Sequence, residues 1–164
     1  MTSADATNEA PCAEVGPAIF AYDGSDLAAY AIEQAALELA PGREAIVVCV
    51  WQPANVGFIP VGGRQLRAAA ANEVLQAAEE TAAHGAELAE RSGFRAKTMT
   101  VEAAPTWKGL VQAAEEHKCG LIVIGSHQGG GLLEHLAGSV AAATVSHFDN
   151  SVLVVHRPPD RAAG

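Results

Sequence analysis

The sequence predicts a single doubly wound α/β domain, with a five-stranded, mostly parallel sheet and helices on both faces. Three observations predict it. Short apolar runs at residues 18–22, 45–51, 121–124 and 152–155 lack the polar alternation of a sheet with one wet face. Between the runs lie stretches whose apolar residues recur at helical spacing. Capping or turn residues separate the two kinds of segment, so strands and helices alternate, and right-handed crossovers then give a mostly parallel sheet. At 164 residues, 49% of them hydrophobic and 18% charged, the chain can bury one core of its own.

The first strand, 18–22, is closed by Asp23, Gly24 and Ser25. Ser25 or Asp26 can cap a helix with Leu27, Ala31, Ala35 and Leu39 on one stripe, and Pro41-Gly42 stops it. The second strand, 45–51, leads into residues 52–63, whose Pro53, Gly57, Pro60, Gly62 and Gly63 make a loop. That loop is long enough to be a lid and reads equally well as a connector. Residues 64–91 predict one long helix with Leu66, Ala70, Val74, Ala77, Thr81 and Leu88 on its apolar stripe, and Gly85 offers a place for a kink. Residues 95–102 alternate as an edge strand, with Ala96, Thr98 and Thr100 on one side and Lys97, Met99 and Val101 on the other. Pro105 and Thr106 open a helix that runs to Lys118, Gly120 releases the fourth strand, and a glycine-rich loop, a helix over 139–148 and a last strand follow.

Composition excludes several functions. Ten Lys and Arg against nineteen Asp and Glu leave a net charge of -9, so no basic face is expected for nucleic acid or an anionic membrane. No stretch approaches the roughly 20 uncharged apolar residues of a membrane-spanning helix. Residues 1–16 carry no Lys or Arg and no apolar signal core, and read as a disordered leader before a domain at 17–157 and a tail at 158–164. That organisation favours the cytoplasm. Cys12, Cys49 and Cys119 are odd in number and widely spaced, which fits reduced thiols rather than a disulfide framework or a zinc site.

Two segments carry chemistry, and both follow strands, where ligands of such sheets sit. In Ala21-Tyr22-Asp23-Gly24-Ser25 a carboxylate stands at the tip of strand one. It can accept hydrogen bonds from a ribose or simply shape the turn. In Gly125-Ser126-His127-Gln128-Gly129-Gly130-Gly131, continuing to Gly138-Ser139 at a helix start, backbone amides can approach a phosphate, aided by the helix dipole. This is not a Walker loop, because residues 119–156 contain no Lys or Arg. Phosphate charge would have to be offset by amides, the Ser126 and Ser139 hydroxyls, and a divalent cation. Such a site suits holding a nucleotide better than transferring its phosphate. His127 and His135 read either as a base or metal ligand or as solvated loop residues. A Ser-His-Asp hydrolase built from Ser126 or Ser139, His127 and Asp23 lacks the G-x-S-x-G turn that would present the serine.

These segments resemble the universal stress protein family, which pairs an early strand ending in Asp-Gly-Ser with a late Leu-Ile-Val-Ile-Gly-Ser and a pattern of Gly, two residues, Gly, nine residues, Gly and Ser or Thr. The resemblance covers about residues 18–157 and implies the strand order 3-2-1-4-5. It implies that Ala21, Tyr22 and Asp23 lie beside a nucleoside, Val50 near the adenine, and Ile124, Gly125 and Ser126 at the exit of strand four. Gln128, Gly129, Gly138, Ser139 and Val140 would then meet the phosphates. Gln128 is a departure, standing where the pattern has its second glycine. The implied ligand is ATP or AMP, with Mg2+ accompanying the phosphates and no metal site from the protein alone. The implied function is regulation in a stress response, with no catalytic residue assigned. The implied assembly is a homodimer through the last strand, Val152, Leu153, Val154 and Val155. The alternatives are a nucleotide-free dimeric interaction protein and a slow ATP hydrolase.

Overall fold

The structure, a computed structural model, describes residues 16–52, 64–126 and 140–158, with the side chains of 64–68 excepted. Nine elements alternate along it: β1 (Ala18–Ala21), α1 (Asp26–Glu38), β2 (Glu44–Trp51), α2 (Arg64–Arg91), β3 (Arg95–Glu102), α3 (Thr106–Glu116), β4 (Leu121–Ser126), α4 (Val140–His147) and β5 (Ser151–His156). All strand pairs are parallel and the order is β3-β2-β1-β4-β5, as the resemblance implies. β1 lies at the centre, with Ala18 opposite both Ala45 and Leu121.

The unalternating apolar runs have a physical reason. Each central strand is covered on both sides, so successive side chains enter two different cores. Phe20, Val47 and Val123 face α1 and α2, while Ile19, Val48 and Ile122 face α3 and α4. β3 is an edge strand, and its Arg95, Lys97 and Glu102 are exposed. Charge on an edge discourages pairing with another chain. Cys49 and Cys119 are buried free thiols.

One detail departs from the sequence pattern. The face of α2 that enters the core is Ala78, Ala82, Ala86 and Ala89, while Ala77 is exposed and Thr81 only half-buried. Gly85 lies on the buried face and α2 is one continuous helix through it. A Cβ at Gly85 would lie 2.6 Å from Cδ1 of the Tyr22 ring and 2.8 Å from Cγ1 of Val47. The glycine is there to admit an aromatic ring, at the usual helix cost of about 1 kcal/mol relative to alanine.

Candidate functional site

β1 ends at the point where its two neighbours send their connections to opposite faces of the sheet, which leaves a crevice at the carboxyl ends of the strands. A tight turn makes the crevice. Gly24 takes φ +82°, and the Asp23 Oδ1 accepts the Ser25 backbone N–H at 2.9 Å. Ser25 then caps α1, its Oγ accepting the Ala28 N–H at 3.1 Å. Asp23 therefore shapes the turn, Ser25 supplies the cap, and the exposed Asp23 carboxylate still borders the crevice.

The resulting cleft has a volume of about 450 Å³ and is bordered by Ala21, Tyr22, Asp23, Val50, Ile124, Gly125, Ser126 and Val140. These are all the site residues expected from the sequence that lie among the described ones. Gln128, Gly129, Gly138 and Ser139 lie outside the described residues, as do His127 and His135. The structure adds Ser25, Leu27, Ala28, Val48, Thr106, Leu110 and Ala141 to the lining. Strand alternation puts Val48 on the same face as Val50, a signal that could have found it, and Ser25 is the helix cap expected from the sequence. Thr106 and Leu110 carry no local motif, because the crossover after β3 brings the start of α3 to the cleft.

The wall is mostly aliphatic, with hydroxyls at Ser25, Thr106 and Ser126 and one carboxylate, Asp23. Among the described lining residues none is a Lys, Arg or His. Burial first, then the Asp23 and Asp26 carboxylates, pushes the Tyr22 phenol up from its ordinary value. Burial first and Asp23 second do the same to the Cys49 thiol. Tyr22 is held from behind, its Oη 2.7 Å from Nδ1 of His84 on α2. The Ser126 carbonyl lies 3.2 Å from Nδ1 of His156 at the end of β5. Among the described residues no group of three or more His, Cys, Asp or Glu could hold a metal.

Close backbone approach fixes the cleft's inner edge. A Cβ on Gly125 would lie 2.8 Å from Cγ and 3.0 Å from the carbonyl oxygen of Leu27, so β4 meets the first turn of α1 across the glycine. The arrangement can enclose a flat, largely apolar group between strand ends and offer hydroxyl and amide partners at its rim.

The model of the universal stress protein family matches residues 16–156. No curated protein sequence matches the chain. Among solved structures, hypothetical protein MJ0577 is similar at 22% identity and a TM-score of 0.71, over 89% of this chain and 99% of that one. A universal stress protein in complex with cAMP is similar at 23% identity and 0.60, over 87% and 98%. The universal stress protein from Archaeoglobus fulgidus in complex with dAMP is similar at 19% identity and 0.57, over 85% and 96%. At these identities the likeness to the structures is one of fold. The family match across almost the whole described domain goes further, and the chain belongs to the universal stress protein family.

Proposed function

We propose that the chain is a regulatory protein that holds an adenine nucleotide, ATP or AMP, in the cleft between β1 and β4, and that occupancy controls its partners in a stress response. The observation that carries this reading is the convergence on one cleft of residues from the two sequence motifs, Asp23 after β1 and Gly125-Ser126 at the end of β4. Its volume of about 450 Å³ lies in the range of small-molecule sites. The cAMP and dAMP complexes of two similar structures support an adenine ligand in this fold. Hydroxyls, loop amides and Mg2+ would meet the phosphates, and no residue is assigned to catalysis.

Calorimetry on purified, nucleotide-stripped protein tests it. Saturable binding of ATP or AMP is expected, weakened more than about tenfold in Ala21→Phe, whose ring would occupy the cleft, with the folded circular-dichroism spectrum kept. Absence of binding with and without Mg2+ would leave the nucleotide-free interaction protein as the reading.

The same proposal includes a cytoplasmic homodimer paired through β5. β5 is an edge strand whose Val152, Leu153 and Val154 are only half-buried, while Val155 is buried. An apolar edge of that kind needs a cover. Light scattering at micromolar concentration is expected to give twice the 16.8 kDa chain mass, and a monomer would reject the dimer.

A further inference from the structure

We infer that the cleft selects its adenine ligand by charge, favouring a nucleoside or a nucleoside monophosphate over a metal-free triphosphate, with Asp23 as the residue that sets the preference. The inference rests on the nucleotide reading of the cleft and narrows its ligand class. Asp23 is the one charged side chain among the described lining residues. No Lys or Arg borders the cleft among the described residues, and β1, α1, β2, β4, α4 and β5 contain none. Lys108 lies on α3 between the lining residues Thr106 and Leu110, but it is exposed and does not border the cleft.

Each phosphate added to the ligand therefore adds negative charge beside a carboxylate, on a protein whose net charge is already -9. Helix N-termini offer only about half an elementary charge each and are shared with the capping serine. A nucleoside loses nothing by this arrangement, because the aliphatic wall receives its base and Asp23 can accept from its ribose. A triphosphate needs its own counter-charge, so ATP should enter as its Mg2+ complex. The site then responds to free Mg2+ as well as to nucleotide.

Competition calorimetry with adenosine, AMP and ATP on the stripped full-length chain tests this, in EDTA and then in Mg2+. In EDTA, AMP is expected to bind about tenfold or more tightly than ATP, and Mg2+ to narrow that gap. Raising NaCl from about 20 mM to about 300 mM should strengthen ATP binding in EDTA by screening repulsion and leave adenosine flat. A cationic clamp would give the opposite sign. Asp23→Asn keeps an Oδ1 acceptor for the Ser25 N–H and removes the charge, so the ATP-to-adenosine affinity ratio should rise about fivefold or more. An equal change for all three ligands would make Asp23 merely structural and overturn the inference. Metal-free ATP that binds as tightly as AMP, or that salt weakens, would overturn charge selection and leave the nucleotide reading standing. Failure of all three ligands to bind would overturn both.

Discussion

Phe20→Ala is expected to remove about 3–5 kcal/mol of folding stability. Phe20 is fully buried on the central strand, opposite Val47 on one side and Val123 on the other. Its ring lies 5.0 Å from that of Phe94, tilted by 60°, an arrangement favourable for aromatic pairs. Half of the buried residues clustered with it are alanines, among them Ala28, Ala31, Ala35, Ala86 and Ala89. Alanines have no reach with which to refill a void, so the cavity term should be near its full size. A domain of this length has about 5–15 kcal/mol in total, so the loss is a large share of it. Thermal unfolding followed by circular dichroism should show a midpoint lower by roughly 6–20 °C. A drop of only a degree or two would mean that α1 and α2 close onto the vacated space.

The residues around Phe20 also explain what could be read in advance. Strands declared themselves because burial on two faces leaves no polar residue in the middle of Ala18–Ala21 or Leu121–Ser126. The turn after β1 was equally legible, since Gly24 and Ser25 each have a local job that few residue types can do. The buried face of α2 was not. In an alanine-rich helix the apolar contrast between faces is weak, and the choice falls to the partner surface, here the Tyr22 ring that only Gly85 admits. The same limit hid Thr106 and Leu110, which reach the cleft by topology and carry no signature of it. Sequence thus revealed the half of the cleft made by strand ends and left the α3 wall to the fold.

Gly125→Ala should separate the two roles that meet at the exit of β4. The added methyl would sit 2.8 Å from Leu27 Cγ and 3.0 Å from the Leu27 carbonyl oxygen, and neither is the free end of a side chain. Overpacking of this kind costs about 1–3 kcal/mol, less than the Phe20 cavity. Its consequence for the cleft is larger than its consequence for the fold. Relief requires β4 and the first turn of α1 to part, and those two segments contribute Ile124, Ser126, Leu27 and Ala28 to the same wall. Thermal midpoints should fall by roughly 2–12 °C, while AMP affinity should fall more than tenfold in protein that is still folded at 25 °C. The double variant Leu27→Ala/Gly125→Ala should be destabilised by less than the sum of its parts, because deleting Cγ removes the shorter contact. Strict additivity would show that the helix already yields without resistance. The cleft would then be shaped by something other than the close approach of strand and helix at Gly125.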